Sequence, residues 1–216
     1  MGKSVKMAAR KERRPQMHLL ETLEEPPVKF LTKQEVERFF AAIPTCNLRD
    51  RLLFDLIYRY GLRRSEAGLI DRARHLTSDR IWITRLKGGF SGFYPISAST
   101  RKLMWQYLST LHQTSNTRLF PSRQSAARGI GGSTVYSLFR RYARAAGLPP
   151  DKCHPHVLRH SIAVHFLDTD GVELLDVKDW LAHRHISSTM VYAYISAMRR
   201  QRSYRRVLAS RQIART

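Results

Sequence analysis

The sequence His-Val-Leu-Arg-His at residues 156–160 decides how this chain is interpreted. Apolar positions continue at helical spacing beyond it, so the pattern predicts a helix from Val157 to about Leu167. The guanidinium of Arg159 is planar and can donate two parallel hydrogen bonds to one phosphate group. The imidazole of His156 can donate or accept a proton near neutral pH. The stretch therefore predicts a helix whose first turn carries groups suited to binding a phosphodiester.

A histidine and a tyrosine follow this helix. Two more helices are predicted at 172–181 and at about 188–195, with Ser187 as the N-cap of the second. His183 lies between them, and Tyr192 comes nine residues later, on the second helix. The two side chains are therefore expected to be fixed relative to each other.

The phenol of Tyr192 is the predicted nucleophile. A free phenol titrates near pH 10, and adjacent guanidinium groups favour its phenolate. Attack by such a phenol on a phosphodiester joins the protein covalently to DNA. Tyr194 is a second candidate, but the nine-residue step from His183 favours Tyr192, and Tyr194 is interpreted as structural.

A second arginine lies upstream, after a predicted helix that ends at Gly61. The apolar stripe of that helix consists of Leu52, Leu53, Leu56, Ile57 and Tyr60. Arg63 thus emerges just beyond a helix end, and its neighbour Arg64 is interpreted as a surface charge. Arg63 and Arg159 are the candidates for clamping the non-bridging oxygens of a scissile phosphate.

A lysine is predicted to project from a β-hairpin. Short β-like runs at 81–86 and 90–96 flank Lys87-Gly88-Gly89, and glycines give such a turn the backbone freedom that it needs. Lys87 is the candidate general acid, because the leaving 5′ oxygen needs a proton when the strand is cut.

The remaining elements predict a mainly α-helical fold with a small antiparallel β-sheet. Thr32-Lys33-Gln34-Glu35 forms a capping box that starts the first helix, with Phe39, Phe40 and Ile43 on its buried side. Further helices are predicted at about 100–111 and at 134–146, the latter ending at Gly147.

Composition indicates a folded protein that binds a polyanion. The 216 residues are 43% hydrophobic, enough for one catalytic domain, and their formal net charge is +21. Such a charge attracts nucleic acid, and no apolar run reaches the roughly twenty residues that span a bilayer. With two cysteines, Cys46 and Cys153, and nothing that reads as an export signal, we expect a cytoplasmic, nucleoid-associated protein without a membrane partner.

Three segments are expected: a flexible basic arm at 1–28, a catalytic domain at 29–198 and a basic C-terminal segment at 199–216. The arm could follow DNA or merely aid solubility, and the C-terminal segment could contact DNA or link protomers. Three arginines, Arg140, Arg141 and Arg144, lie close together on one helix, where they either contact phosphate or remain solvated.

Two other functions stay open. A metal-dependent nuclease is suggested by a crowd of potential zinc ligands, namely Cys153, His154, His156, His160, His165, His183 and His185. No Cys-x-x-Cys pair or carboxylate cluster completes such a site, and His154, His165 and His185 are interpreted as solvent-facing or capping. A DNA-binding regulator without catalysis would keep the fold, but no substitution in the catalytic set favours it.

From Phe30 to about Ser196 the chain resembles the catalytic domain of the tyrosine recombinases, or phage integrases. The resemblance rests on the Gly-Leu-Arg-x-Ser-Glu box, the hairpin lysine, the His-x-x-Arg box, and the Leu-x-His box with its tyrosine. The catalytic residues that it implies are Arg63, Lys87, His156, Arg159, His183 and Tyr192, with Glu66 as their support. It implies a site-specific recombinase with no metal or other cofactor, which acts on double-stranded DNA as a homotetramer on paired sites and can use accessory DNA-bending proteins.

Two departures from the family pattern stand out. Ala182 occupies a position where the family usually has glycine. We also expect the basic arm to stand in place of the separate N-terminal DNA-clamping domain that is usual in the family. In this shortness the chain most resembles small single-domain recombinases that invert fimbrial promoter switches. Inversion is the favoured role, and integration, excision and resolution remain alternatives.

Overall fold

The computed structural model describes residues 28–111, 116–125, 127–193, 195, 204–205 and 207–208. Its helices are α1 (Lys33–Ala41), α2 (Leu48–Arg59), α3 (Ala98–Leu108), α4 (Gly132–Ala145), α5 (His156–Leu167), α6 (Leu174–Trp180) and α7 (Ser187–Met190). Strands β1 (Arg80–Ile83) and β2 (Gly92–Pro95) pair antiparallel, and short 3₁₀ helices cover Ala67–Leu69 and Pro150–Lys152. The predicted class, mainly helical with a small antiparallel sheet, is confirmed. No helix in these described ranges is long and apolar enough to cross a membrane.

The predicted capping box at the start of α1 is present. Glu35 N donates to Thr32 Oγ1 at 3.2 Å, and Thr32 N donates to Glu35 Oε2 at 2.7 Å. Lys152 Nζ also donates to both Glu35 oxygens, at 2.9 and 2.8 Å. One residue before the cap, Leu31 N donates to Ser161 Oγ of α5 at 2.8 Å. The start of α1 is therefore fixed to α5 as well as to its own first turn.

The apolar stripe of α2 lies at the centre of the main core. Its predicted members are all buried: Leu52, Leu53, Leu56, Ile57 and Tyr60. The helix packs against both α3 and α5. Phe39 of α1 stacks on Phe139 of α4 with ring centroids 4.8 Å apart, and it meets Phe54 of α2 edge to face at 5.3 Å. Three helices thus share one aromatic centre, and α5 is held against it.

A second, smaller cluster joins α5 to α6 and to the chain beyond α7. Its buried members are Ala163, Val164, Leu167, Val177, Leu181 and Tyr192. The residue exposure of Tyr192 is 2%, so its ring packs as a core residue. Burial in this cluster fixes the position of the phenol relative to α5.

Gly61 ends α2 as predicted, with φ of 55°. A Cβ on Gly61 would overlap Leu181 Cδ2.

We expect Gly61→Ala to lower the free energy of unfolding by about 2–5 kcal/mol, because the strain of a left-handed backbone at alanine adds to overpacking against Leu181. Gly147→Ala is the matched control: its φ is 64°, but nothing lies within 4 Å of a Cβ. The control is expected to lose only about 1–2 kcal/mol. Urea denaturation measures both, and equal losses would contradict the packing argument.

Both strands of the hairpin are shorter than predicted. β1 ends at Ile83 instead of residue 86, and β2 begins at Gly92 instead of residue 90. The backbone leaves the ladder because Arg85 N donates to Ser91 Oγ at 3.0 Å, and Leu86 N donates to a buried carboxylate at 3.0 Å. The segment that contains Lys87 is therefore a wide turn anchored to the core.

The prediction that Tyr192 lies on a helix is wrong, because α7 ends at Met190 and residues 191–192 form a turn. The helix predicted at about 188–195 is present in part, since residues 193 and 195 are again helical. Ser187 is the first helical residue and not the N-cap, a position held by Ile186 without a side-chain hydrogen bond. Tyr192 N donates to Thr189 O at 2.9 Å, a three-residue step that tightens the chain. A short, tight turn thus carries the phenol.

Candidate active site

Arg159 of α5 is almost fully buried, with 2% of the residue exposed. Its Nη1 donates to Gly61 O, and its Nη2 donates to Leu181 O at 2.9 Å. These carbonyls lie just beyond the ends of α2 and α6, so the side chain holds both helix ends beside α5. Burial, followed by the charges of Arg63 and Arg85, lowers the pKa of Arg159 to about 10, and the guanidinium stays protonated at neutral pH.

Arg63 and Glu66 form the second charged element of the site. Arg63 Nη1 donates to Glu66 Oε1 at 2.7 Å and to Leu86 O at 3.1 Å, and Arg63 N donates to Glu66 Oε2 at 2.9 Å. Burial alone would raise the pKa of Glu66, but hydrogen bonds from the N–H groups of Leu86 and Arg63 outweigh it and lower the pKa. The Arg63 side chain stays 23% exposed, so part of it remains accessible to a ligand.

Arg85 is a buried residue of the site that the sequence interpretation missed. Its side chain is fully buried and forms an ion pair with Glu66 at 3.3 Å. Its Nη2 also donates to Tyr60 O at 2.8 Å, Tyr94 Oη at 3.0 Å and Trp180 O at 3.1 Å. The missed signal is alternation: Ile81 and Ile83 are buried, so residue 85 falls on the same inward face. A charged side chain on that face requires buried partners.

Replacing Arg85 with methionine is expected to lower the free energy of unfolding by about 3–5 kcal/mol, because it breaks a buried ion pair with Glu66 and removes the buried donor of Tyr60 O. The control is Arg80→Met in β1, where the Arg80 side chain is 63% exposed and pairs with Asp79 at 3.5 Å. That change is expected to stay within about 0.5 kcal/mol. Chemical denaturation compares the two, and similar losses would argue against a structural role for the buried guanidinium.

Two neutral imidazoles flank the arginines. Thr189 Oγ1 and His183 Nδ1 are 2.8 Å apart, which orients the His183 ring. Burial, followed by the positive charge of Arg159 and other site arginines, lowers the pKa of His183 to about 4. Desolvation of the ring, followed by the charges of His160 and Arg159, also lowers the pKa of His156, although the residue as a whole is exposed. Each neutral ring can donate one hydrogen bond and accept another.

The phenol of Tyr192 contacts a third imidazole. Its Oη lies 2.7 Å from Nδ1 of His160. The ring of His160 also meets that of His156 edge to face, with centroids 4.6 Å apart. The sequence interpretation considered His160 only as a potential metal ligand. Its four-residue separation from His156, which puts both on one face of α5, is the signal that could have identified it.

Lys87 is exposed in the hairpin turn, with φ of 57°. The turn lies close to the chain before His183, because a Cβ on Gly89 would be 2.8 Å from Ala182 O. Ala182 has φ of 53°, a left-handed conformation that favours glycine. This backbone angle gives a physical reason for the glycine that the resemblance leads one to expect at this position.

The three arginines of α4 lie in different surroundings. Arg140 is half-buried over the ring of Tyr136 at 5.7 Å, and Arg64 lies over the same ring at 5.8 Å. Arg141 donates to Tyr142 Oη, and Arg144 is exposed. Arg140 and Arg64 thus share an aromatic ring, while Arg141 is tied to the core.

Metal ligands are not gathered in the part of the chain that the structure describes: no group of three or more His, Cys, Asp or Glu side chains is placed to hold an ion. His165 is neither solvent-facing nor capping, which corrects the prediction. Its ring is half-buried, and its Nδ1 lies 2.7 Å from Tyr58 Oη. His185 is exposed as predicted.

The helical domain and its hairpin have the fold of a tyrosine recombinase catalytic domain. A sequence model of the phage integrase family matches residues 29–199, and the chain belongs to that family.

Curated relatives are identical to this chain at nearly a third of the aligned positions. The chain is 31% identical over 169 residues to tyrosine recombinase XerA of Thermococcus onnurineus (strain NA1), covering 78% of this chain and 58% of the relative. It is 32% identical over 186 residues to tyrosine recombinase XerC of Erythrobacter litoralis (strain HTCC2594), covering 82% of this chain and 59% of the relative. The chain thus spans somewhat more than half the length of these relatives.

Solved structures show the same fold. A crystal structure of XerA recombinase matches with a TM-score of 0.69 and 22% identity, over 81% of this chain and 65% of that one. XerH bound to its difH substrate, in a pre-cleavage complex, matches with a TM-score of 0.66 and 23% identity, over 78% and 51% of the two chains. The catalytic domain of bacteriophage HP1 integrase matches with a TM-score of 0.58 and 25% identity, over 78% of this chain and 89% of that domain.

Proposed function

We propose that this chain is a site-specific DNA recombinase that cleaves and rejoins strands through a 3′-phosphotyrosyl intermediate. The observation that carries the proposal is the placement of Tyr192, whose Oη lies 2.7 Å from Nδ1 of His160, the residue that follows the buried Arg159 on α5. A phenol that contacts a proton acceptor can be activated for nucleophilic attack on a phosphodiester.

In the proposed cleavage step, Arg63 and Arg159 bind the non-bridging oxygens of the scissile phosphate and stabilise the charge that develops there. Tyr192 Oη attacks phosphorus as the bond to the 5′ oxygen breaks. Lys87 protonates that oxygen, and the hairpin turn that carries it is anchored next to Arg63 through Leu86 O. The reverse reaction, with a 5′ hydroxyl as nucleophile, rejoins the strand.

The other members of the proposed set act on the phosphate and on its clamp. His156 and His183 are neutral, so each can donate a hydrogen bond to phosphate or pass a proton. Glu66 positions Arg63, because it accepts hydrogen bonds from both the backbone and the guanidinium of that residue. Neither a metal nor a nucleotide takes part in this scheme.

The proposed partner is double-stranded DNA with specific recombination sites, held by a homotetramer on paired sites, with accessory DNA-bending proteins where needed. Support comes from the net charge of +21 and from the relatives, among them XerH bound to its difH substrate. Arg140 and Arg144 are proposed to contact phosphate. Arg141 is a weaker candidate, because its guanidinium donates a hydrogen bond to Tyr142 Oη. Residues 1–27 of the basic arm and most of the segment at 199–216 lie outside the described residues.

We further propose that residues 29–198 act as one catalytic domain on DNA in the cytoplasm, in association with the nucleoid. A family match over residues 29–199 supports these bounds. Inversion of a DNA switch is the role that we favour, with integration, excision and resolution in a mobile element as the alternatives.

The proposal is tested with supercoiled DNA that carries the gene's own neighbourhood, incubated with the protein in EDTA. After denaturation we expect protein joined covalently to 3′ ends, and mapping those ends locates the site. Cuts with free ends that require a divalent metal would instead identify a nuclease. Tight binding without an adduct on any segment of that neighbourhood would favour a regulator.

A further inference from the structure

We propose that His160 is a catalytic residue that accepts the proton of the Tyr192 phenol during strand cleavage and returns it during religation. This inference deepens the proposed function and rests on it. It assigns the proton acceptor of the nucleophile to a residue outside the set that the motifs imply.

The geometry singles out His160 among the imidazoles near the phenol. Its Nδ1 lies 2.7 Å from Tyr192 Oη, within the range of a direct hydrogen bond. The Nδ1 of His183 is 2.8 Å from Thr189 Oγ1, so that nitrogen is already engaged. Both partners of the His160 contact are held in place, because α5 carries the imidazole and the phenol is buried in the second cluster.

The surroundings of His160 keep its ring neutral and ready to accept. Burial, followed by the positive charges of His154 and Arg159, lowers the pKa of His160 to about 4. The other titratable groups that face it are His156 on α5 and His183 before α7. At neutral pH the ring therefore has one nitrogen without a proton. With Nδ1 as that nitrogen, the phenol is the donor of the hydrogen bond.

Bound DNA is expected to make His160 a stronger base. A phosphodiester adds negative charge beside the site, and an anion within a few ångströms raises the pKa of an imidazole. This expected rise in the pKa of His160 would tie proton acceptance, and with it deprotonation of the phenol, to substrate binding.

The step balances as follows in atoms and charges. The O–H bond of Tyr192 breaks and its proton moves to His160 Nδ1, while Oη forms the bond to phosphorus. The bond from phosphorus to the 5′ oxygen breaks, and that oxygen takes a proton from the general acid, for which Lys87 is the candidate. In religation the 5′ hydroxyl gives its proton back to the deprotonated Lys87 and attacks phosphorus. The bond from phosphorus to Oη breaks, and Oη takes its proton back from His160.

The test compares His160→Asn with the wild type in single-turnover cleavage of a DNA site at which the wild type forms the adduct. An asparagine side chain can hydrogen-bond near the position of Nδ1 but does not titrate. We expect its cleavage rate at pH 7 to fall by about 10²–10⁴-fold, the usual contribution of general acid–base catalysis. We expect the loss of rate to become smaller as the pH rises towards the pKa of a free phenol, because hydroxide can then remove the proton.

A matched control lies on the same helix. His165 is also half-buried, and its Nδ1 is also 2.7 Å from a phenol, that of Tyr58 in the core. His165→Asn makes the same chemical change to the same kind of pair, away from the arginines of the site. It should cleave at the wild-type rate with the wild-type pH profile, and urea denaturation reports whether the two variants lose comparable stability.

A DNA substrate with sulfur in place of the bridging 5′ oxygen separates base from acid. A thiolate leaves without being protonated, so this substrate should rescue Lys87→Ala but not His160→Asn. Wild-type rates and pH profile for His160→Asn, or its rescue by the sulfur substrate, would overturn the inference. His160→Gln, which also lacks a titrating group, replaces the asparagine variant if that variant does not fold. Failure of the wild type to form an adduct on any site would instead overturn the proposed function itself.

Discussion

Replacing Tyr192 with phenylalanine is expected to abolish the covalent protein–DNA adduct while leaving DNA binding intact. The change removes only the hydroxyl, so the ring can still fill its place in the second cluster. Loss of the hydrogen bond to His160 costs about 0.5–1.5 kcal/mol of stability. Because no other group takes over a missing nucleophile, we expect the cleavage rate to fall by at least about four orders of magnitude.

The measurement is the yield of adduct on denaturing gels, with a DNA-binding assay on the same samples. Tyr194→Phe is the control, since Tyr194 is the competing phenol of the sequence and lies outside the described residues. We expect it to retain the adduct. An adduct that survives Tyr192→Phe and disappears in Tyr194→Phe would assign the nucleophile to the other phenol. Survival in both variants would contradict the tyrosine mechanism.

Much of the fold could be predicted because its signals are local. The capping box at Thr32, the stripe on α2 and the stop at Gly61 each depend on residues within a few positions of one another. Such short-range patterns follow from helix geometry and backbone sterics alone. The hairpin was predicted for the same reason, from two short runs around a pair of glycines.

The predictions that were wrong depended on contacts distant in sequence. β1 ends early because the Leu86 N–H pairs with Glu66, twenty positions away. The helix predicted around Tyr192 gives way to a turn in which the Tyr192 side chain reaches His160, 32 positions away. The periodicity of apolar residues predicts the secondary structure of one segment at a time. It therefore cannot predict a hydrogen bond to a residue of another helix or strand.

The residues of the candidate site show the same difference between short motifs and distant contacts. Arg63, Arg159, His183 and Tyr192 could be selected because they stand in short motifs, and the structure brings them to one region. Arg85 and Thr189 stand in no motif, and their importance lies in the buried groups that they contact. A sequence reports which residues are present at a site more readily than which residues hold them in position.

Replacing Arg63 with alanine is expected to lower the cleavage rate by about 10³-fold with little loss of stability. The size follows from removing one preorganised cation from a phosphoryl-transfer site. Stability is expected to be retained because the Glu66 carboxylate keeps two other partners, Arg85 and the N–H of Leu86. Arg159 is a less suitable target, because it is buried and its loss would remove the side-chain donor of Leu181 O and one of two donors to Gly61 O.

Two companion variants show what Arg63 contributes. Arg64→Ala removes the neighbouring guanidinium, which is exposed and lies over Tyr136, and it should cleave at nearly the wild-type rate. Arg63→Lys keeps the charge but loses the planar fork, so a rate between those of the wild type and Arg63→Ala would show that bidentate geometry matters beyond charge. Single-turnover cleavage gives the rates, and urea denaturation gives the stabilities. If Arg64→Ala lost as much activity as Arg63→Ala, the effect would reflect the basic surface as a whole, and the phosphate clamp would have to be sought elsewhere.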